Sequence, residues 1–516
     1  MIAISARRFL IAFVCALIGL VGLFAAHTVL VDPFGMLGTR VWPEKGYARY
    51  GRARIAGDRV VKAMALTHDR YDTIIVGSSR PLNGFAPDAP FLKERRVYNA
   101  AFNGATNVEN ASVIAFALDR QSGLKDVILG LDLFAFEQVK TDADYEDSAF
   151  AGRPLWFGVA ARSLSKTAVD GAWRFWRNAR KATPQARIDG FNYTPGKWLN
   201  DRRAAFFAKI ESGSPVCADA RTFEDRLARN IDILEPVLRR ARTMGVNVAM
   251  FVTPQHVWSH YMEDVAEREP QRNAFKRALR DMAVRLATQP GSGRIALWDF
   301  NGLDPQVTME PVPAAGSGRD SVYFWEHSHF RRSAGDAILA AMFDRPGAVE
   351  GFGAPLDRLD LDDHFAATRR KLDAWAAANA DDAILLRRMT RRILSCSAEP
   401  VDAGNCGEGA MLFTAPGFIF AFLPVTLAGF LLALRLGKPR LVTPWLLAAS
   451  MVFYAWWSPV FLGLLVASTL VNWLCARAME TRARGDRGRK AIFIAGLVWN
   501  LGLLAVFKYA DFFIDT

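Results

Sequence analysis

The chain is poor in cysteine, with five in 516 residues, and none of them forms a CxxC pair. That scarcity argues against a structural zinc site, which usually draws on closely spaced thiolates. No C2H2 spacing, basic zipper or RNA-stacking signature occurs, so we expect no nucleic-acid partner. Hydrophobic residues make up 51% of the chain and charged residues 22%, which excludes a disordered or low-complexity protein.

Two other kinds of site are weakly supported by the spacing of their residues. Cys396 and Cys406 can form a disulfide if their segment lies outside the cytoplasm, but nothing in the sequence shows that they do. HExxH and carboxylate-rich spacings are absent, so we expect no metal at the four histidines of the central region, His256, His260, His327 and His329.

The positive charge is unevenly distributed. The formal net charge is +12, and the residues from Met411 onward contain ten Lys or Arg against four Asp or Glu. One fifth of the chain therefore carries half of the net positive charge, and that fifth is also the most apolar part. Basic residues between long apolar runs indicate the orientation of membrane segments.

Long apolar runs predict five membrane spans. An unbroken run from Phe9 to Ala26 follows two arginines and is longer than the core of a signal peptide, so we predict an uncleaved anchor within 1–31. The positive-inside rule then puts both basic loops on the side of the N-terminus. Residues 32–410 are expected in the periplasm of a multi-pass inner-membrane protein. The further spans are predicted near 412–434, 441–457, 459–476 and 491–510.

The central region has the pattern of an α/β fold. Short apolar runs alternate with amphipathic helical patterns, which is typical of a parallel sheet with helices on both faces. We predict this domain over 32–350, an insertion near 140–215, and a helical tail and linker at 351–410. The predicted strands are 71–77, 127–131, 246–252 and 295–300, and the predicted helices are 107–118, 222–244, 272–288 and 333–344.

Polar residues follow the predicted strands, where ligands bind in open α/β sheets. Ser79 lies in the turn Gly77-Ser78-Ser79-Arg80, where a hydroxyl can be exposed and Ser78 can cap the turn. A serine nucleophile needs an imidazole base and an acid that orients the base. Glu326 and His329, three residues apart at the far end of the domain, supply both groups.

These two segments resemble a known family. Gly77-Ser78-Ser79-Arg80 looks like the first block of the SGNH (GDSL-type) hydrolases, and Glu326-His327-Ser328-His329 resembles their last block, Asp-x-x-His. The resemblance is to the periplasmic, membrane-anchored SGNH-like proteins of exopolysaccharide O-acetylation, related to alginate acetylation proteins. It implies that Ser79 is the nucleophile, His329 the general base and Glu326, one methylene longer than Asp, the orienting acid.

The sequence differs from this family at the oxyanion hole. Asp132 stands where the family has an asparagine, and an ionised carboxylate cannot donate a hydrogen bond. We therefore expect the amides of Ser79 and Gly104 to stabilise the oxyanion, with the side chain of Asn103 or Asn107 as a further donor.

Three other polar residues leave alternatives open. Arg80 can hold an anionic sugar or pair with an acid such as Asp132. His256 can line the cleft or be an ordinary loop histidine. His327 is expected at the surface or against substrate, and not as the base.

The C-terminal segment resembles a different family. The runs Met411 to Val425, Phe453 to Trp457 and Asn500 to Phe513 look like the N-terminal part of a membrane-bound O-acyltransferase (MBOAT). The catalytic histidine of that family lies further downstream, and no histidine follows His364 here. We therefore expect 411–516 to be four transmembrane helices of a truncated acyltransferase that cannot transfer an acyl group through the membrane alone.

Together, the resemblances imply O-acetyl transfer to an exported polysaccharide through an acyl-serine enzyme. They imply no directly bound cofactor. Acetyl-CoA would be the acyl donor, by way of a complete membrane-bound O-acyltransferase or other export proteins as partners. Two alternatives remain, a periplasmic carbohydrate esterase that uses the same residues and a non-catalytic polysaccharide-binding or assembly module.

Overall fold

The computed structural model divides the chain into two compact units, residues 1–399 and 400–516. The predicted anchor run and the predicted spans 412–434 and 491–510 lie partly outside the described residues, and so does the proposed Cys396–Cys406 pair. The structure describes residues 15, 19, 22, 23, 25–32, 59–138, 141, 143–163, 191, 202–211, 220–317, 319–396, 422–436, 442–457, 459–480, 488–497, 499 and 500.

A six-stranded sheet forms the centre of the first unit, in the order β2-β1-β3-β4-β5-β6. Five strands are parallel, and β6 pairs antiparallel with β5 at the edge. All four predicted strand segments contain a strand, and β2 and β6 are additional. The strands are β1 Thr73–Val76, β2 Val97–Asn99, β3 Asp126–Leu131, β4 Asn247–Val252, β5 Ile295–Asp299 and β6 Ala354–Pro355.

Helices cover both faces of this sheet. The helices are α1 Arg59–His68, α2 Ser79–Gly84, α3 Asn107–Arg120, α4 Leu133–Phe136, α5 Ala143–Glu146, α6 Leu155–Ser163, α7 Arg202–Glu211, α8 Ala220–Thr243, α9 Val257–Val265, α10 Glu269–Thr288, α11 Arg332–Met342, α12 Leu361–Ala378 and α13 Ala380–Cys396. Of the predicted insertion at 140–215, the described helices are α5, α6 and α7.

The sheet is apolar on both sides because alternate residues of each strand point to opposite faces. Ile74 and Val76 belong to one buried cluster, with residues of α1, α3, α8 and α10. Ile75 belongs to the other, with residues of α7, α9, α11 and α13. This two-sided burial explains why the central strands have near-continuous apolar sequences.

The strand order fixes where a site can form. The chain passes from β1 to β2 on one side and then returns to β3 on the other, so the order reverses between β1 and β3. Loops diverge at such a point and leave a crevice at the carboxyl ends of the strands. Ser79 follows β1, and Asp132 follows β3.

Residues of the predicted tail belong to the packed core. Leu361 and Phe365 of α12 lie in the first cluster, and Leu372 and Trp375 of the same helix lie in the second. His364 also bonds through Nε2 to the buried carboxylate of Asp299, at 2.7 Å. Helix α12 is therefore part of the packed first unit, whereas its charged pattern predicts a separate tail.

The helices of the second unit include α14 Leu423–Arg435, α15 Val442–Trp457 and α16 Pro459–Glu480, and residues 488–497 are also helical. The indole of Trp445 donates to the carbonyl oxygen of Thr426 at 2.9 Å, which joins α14 to α15. The amides of Asn472 and Asn500 bond to each other at 2.8 and 3.1 Å. In the described part of the chain, no helix combines the length and the apolar character that crossing a bilayer requires.

Candidate active site

The turn after β1 presents Ser79 at the first position of α2. Ser78 caps this helix, because its hydroxyl accepts from the amide of Arg80 at 3.3 Å. Gly77 has a φ of +142°, and a Cβ there would lie 2.7 Å from Pro81 Cγ and 2.9 Å from the carbonyl oxygen of Gly130. The tight turn therefore depends on glycine at this position. Ser79 itself remains partly exposed.

A short loop presents Glu326 and His329. Phe324 and Phe330 form an isolated antiparallel bridge at its base, and the amide of Trp325 donates to the carbonyl oxygen of His329 at 2.9 Å. The carboxylate of Glu326 is fully buried and accepts from the amide of Ser328 at 2.9 Å and from its hydroxyl at 3.1 Å. The loop thus holds the acid in one orientation.

The two segments meet through their side chains. Ser79 Oγ lies 2.7 Å from His329 Nε2. His329 Nδ1 is hydrogen-bonded to Glu326 Oε1 on the other side of the ring. In the neutral imidazole, the Nδ1 proton then points to the carboxylate and Nε2 accepts from the serine hydroxyl. This is the arrangement in which imidazole can remove the proton from a serine.

The environment of Glu326 keeps it ionised. Burial alone would raise the pKa of this carboxyl, but the neighbouring His329 and the bond to it hold the pKa well below its usual range. A buried carboxylate next to Nδ1 stabilises the imidazolium that forms when His329 takes a proton.

The loop is supported by a carboxylate that no sequence motif predicts. The carboxylate of Glu310 accepts from three successive amides, those of Val322, Tyr323 and Phe324, at 2.9 to 3.0 Å. Three successive donors on one carboxylate fix the start of the loop before the acid and base. No local sequence pattern marks Glu310, which lies 16 residues before Glu326.

His256 has a scaffolding position, which is the second of the alternatives left open by the sequence. Its Nδ1 accepts from the amide of Trp258 at 3.3 Å, and its Nε2 bonds to the carbonyl oxygen of Glu310 at 2.8 Å. Burial lowers the pKa of His256 to about 4, so the ring is neutral. With both nitrogens engaged and the residue 1% exposed, it does not line an open cleft.

His327 is also buried, although a surface or substrate-contacting position was expected. Its Nδ1 lies 2.7 Å from Ser259 Oγ, and that hydroxyl also donates to the carbonyl oxygen of His327 at 2.8 Å. Burial lowers the pKa of His327 to about 4. His329, and not His327, is the histidine directed at Ser79.

Arg80 pairs with Asp132, the second of its two expected arrangements. The guanidinium is ion-paired with the Asp132 carboxylate, and its Nη1 also lies 3.2 Å from Thr253 Oγ1. Its Nε donates to the carbonyl oxygen of Ser328 at 2.8 Å. Arg80 therefore connects the ends of β1, β3 and β4 to the loop that carries the acid and base.

The loop after β2 lies beside the turn that carries Ser79. The amide of Phe102 donates to the carbonyl oxygen of Gly77 at 2.9 Å. Asn103 and Gly104 follow at the surface, and Gly104 has a φ of +63° with open space beside its Cα. The Gly104 amide takes part in no hydrogen bond within the described residues, so it can donate to a ligand.

Asn107 is not available as an oxyanion donor. Its Nδ2 donates both to the carbonyl oxygen of Ala135 and to Asn230 Oδ1, each at 3.2 Å, and the residue is fully buried. The amide group therefore joins α3 to α4 and α8 and is not free to act on a ligand. Among the described residues, no cluster of His, Cys, Asp and Glu has the arrangement of metal ligands.

Curated proteins match part of the chain. A peptidoglycan O-acetyltransferase of Helicobacter pylori is 39% identical over 107 residues, which are 20% of this chain and 20% of that protein. Probable alginate O-acetylases AlgI of Azotobacter vinelandii and Pseudomonas aeruginosa are 38% and 37% identical over 107 and 106 residues, again 20% of each chain. No family model and no solved structure matches the chain. The chain therefore spans about a fifth of the length of the curated relatives it matches, and over that stretch it is similar to O-acetyltransferases.

Proposed function

We propose that this protein transfers O-acetyl groups to an exported polysaccharide through an acyl-enzyme on Ser79. The observation that carries the proposal is the hydrogen-bonded series Ser79, His329 and Glu326, with 2.7 Å between Ser79 Oγ and His329 Nε2. Similarity to a peptidoglycan O-acetyltransferase and to alginate O-acetylases supports the choice of acetyl transfer over other chemistry of an activated serine. The SGNH-like resemblance of the sequence agrees with this choice.

In the first half-reaction, His329 Nε2 takes the Ser79 proton while Oγ attacks the carbonyl carbon of the acyl donor. The bond from Oγ to carbon forms, and negative charge develops on the carbonyl oxygen. The amides of Ser79 and Gly104 are the proposed donors to that oxygen. Ser79 provides the first amide of a helix, which has no acceptor within the helix, and the Gly104 amide has no partner within the described residues. The bond to the leaving group then breaks, and His329 returns the proton to that group.

In the second half-reaction, a sugar hydroxyl takes the place of the leaving group. His329 removes its proton, the sugar oxygen attacks the acetyl carbon, and Ser79 Oγ leaves and recovers a proton from His329. Glu326 remains ionised and stabilises the imidazolium in both halves. If water took the place of the sugar, the same residues would act as an esterase.

We further propose that the acetyl group reaches Ser79 through the membrane. The matched stretch of 107 residues has the length of segment 411–516, in which the sequence resembles a membrane-bound O-acyltransferase. We assign this segment to the bilayer and residues 32–410 to the periplasm, on the basis of the apolar runs and their basic loops. A complete acyltransferase that uses cytoplasmic acetyl-CoA is the proposed partner.

The test uses the full chain with Ser79→Ala and, as a matched control, Ser78→Ala in the same turn. A fluorophosphonate should label the wild type and Ser78→Ala, while Ser79→Ala should remain unlabelled and give polymer without acetyl groups. Labelling or acetylation that persists in Ser79→Ala would contradict the catalytic role. Release of acetate from acetylated polymer, without formation of new ester, would instead identify an esterase.

A further inference from the structure

A groove on the surface of the first unit is lined by none of the residues around Ser79. It has a volume of about 530 Å³ and lies between α13, the end of α12 and α9. Three alanines and Ile384 form its apolar part, and Arg387, Arg388 and Arg391 supply its charge. We call it the arginine groove. Its volume falls within the range of about 300–1,000 Å³ that is usual for small-molecule sites.

Among the described residues, no carboxylate neutralises the charge of the groove. All three arginines are exposed, and in the described part of the chain none of them pairs with a carboxylate. Arg387 has one polar contact, from Nη2 to the hydroxyl of Tyr261 at 3.0 Å. By contrast, the exposed Arg369 on the neighbouring helix pairs with both Asp264 and Glu269.

Three adjacent guanidinium groups repel one another, and an anion would relieve that repulsion. Arg387 and Arg391 are one helical turn apart, where like charges disfavour the helix. The groove therefore offers hydrogen-bond donors to a phosphate or carboxylate group. Binding of such an anion would lower the repulsion energy among the three guanidinium groups.

The apolar part narrows the class of ligand. Ile384 is 60% exposed in the groove, although Leu386 of the same helix is buried in the protein. A sugar polymer has no apolar chain to cover this surface. An anionic phospholipid has both the charged group for the arginines and an acyl chain for Ile384.

The position of α13 in the sequence, shortly before a predicted membrane span, is consistent with a lipid as the ligand. Helix α13 ends at Cys396, and the next long apolar run begins at Met411, 15 residues later. Fully extended, that link spans roughly 50 Å at most, at about 3.5 Å per residue. If the run enters a bilayer as the sequence predicts, α13 is the last described helix before the membrane.

We propose that the arginine groove binds the phosphate group of an anionic phospholipid, with the acyl chain against Ile384. The groove would then attach the first unit to the membrane surface at a position separate from the reacting residues. This proposal does not depend on the chemistry assigned to Ser79.

Hydrogen exchange of the full chain in zwitterionic detergent provides the test. Phosphatidylglycerol at ten times its dissociation constant should slow exchange of the amides of 384–391 by about tenfold. Phosphatidylcholine and inorganic phosphate should not. The double variant Arg388→Glu/Arg391→Glu should lose this protection, whereas Arg229→Glu/Arg345→Glu, with the same change of charge elsewhere, should keep it.

Unchanged exchange of the β4 amides in each variant would show that the first unit is still folded. Equal protection by phosphatidylcholine would show that the groove binds acyl chains without recognising the anionic headgroup, and it would overturn the proposal. Protection by an oligouronate or by inorganic phosphate, without an effect of phosphatidylglycerol, would overturn it as well. So would the absence of any response, since the groove would then be unoccupied or covered by another part of the chain.

Discussion

Gly335 and Gly84 contact each other without any side chain between them. A Cβ on Gly335 would overlap the carbonyl oxygen of Gly84, and a Cβ on Gly84 would overlap the ring of Phe330. Gly84 ends α2, which begins with Ser79, and Gly335 lies in the first turns of α11, shortly after His329. This close approach sets the separation between the helix that begins with Ser79 and the loop that carries His329.

We expect Gly335→Ala to force these two segments apart. Overpacking of this kind costs about 1–3 kcal/mol of unfolding free energy. A displacement of Ser79 from His329 by about 1 Å should also lower fluorophosphonate labelling about 100-fold. Gly123→Ala, where a Cβ would meet nothing within 4 Å, is the matched control. Labelling rates equal to those of the control would show that the contact does not position the site.

Replacement of Glu326 separates the charge of the acid from its geometry. Glu326→Gln keeps the length of the side chain but removes the charge that stabilises the imidazolium, so the labelling rate should fall by about 10⁴-fold. Glu326→Asp keeps the charge but moves the carboxylate away from Nδ1, and a loss of about 10–100-fold is expected. If Glu326→Gln reacted faster than Glu326→Asp, an electrostatic role of Glu326 would be excluded.

The buried histidines predict a dependence of stability on pH. Burial lowers the pKa of His256 from its ordinary value of 6.5 to about 4. Between those values the unfolded chain binds a proton that the folded protein does not, so stability is complete above pH 6.5 and is lost as the pH falls toward 4. One histidine with this shift removes about 3 kcal/mol over that range. Burial lowers the pKa of His327 to about 4 as well, which adds to the loss.

Urea unfolding of the full chain, followed by tryptophan fluorescence between pH 4.5 and pH 7.5, measures this dependence. His256→Gln preserves a donor for the carbonyl oxygen of Glu310 but cannot be protonated. Its slope of free energy against pH should be smaller than that of the wild type by up to about 1.4 kcal/mol per pH unit. Equal slopes would mean that His256 is not buried as a neutral ring.

The pair Arg80–Asp132 should contribute to stability as a unit. The Asp132 side chain is 1% exposed and that of Arg80 is 12% exposed, so removal of one partner leaves a largely buried charge. Asp132→Asn is expected to lower the unfolding free energy by about 3 kcal/mol. The double variant with Arg80→Met should be less destabilised than the sum of the two single variants. Additive effects would show that the two side chains are not coupled.

The sequence predicted the central strands well because β1, β3, β4 and β5 are buried on both faces and are therefore apolar throughout. It missed β2, since Val97–Asn99 has three residues and follows two arginines, and β6, which has two residues. Strands that short leave no periodic signal. Their places are decided by pairing with neighbours distant in the sequence.

Part of the candidate site could be predicted because some of its residues belong to local sequence patterns. Ser79 lies in the turn after a strand, and Glu326 and His329 are three residues apart. Both patterns can be recognised in the sequence. The roles of His256 and Asn107 depend on which way each side chain points, and residue type does not decide that. Glu310, Ser259 and the Gly84–Gly335 contact act across the fold, and no short pattern marks any of them.

The packing of α12 and α13 determines how long a fragment of the first unit must be to fold. A fragment cut at residue 350, after the last predicted helix of the α/β domain, would lose Phe365, Leu372 and Trp375 from the core and leave Asp299 without His364. Such a fragment should aggregate when expressed, and its inactivity would say nothing about Ser79. An informative fragment for assay or crystallisation has to extend at least to Cys396, the end of α13.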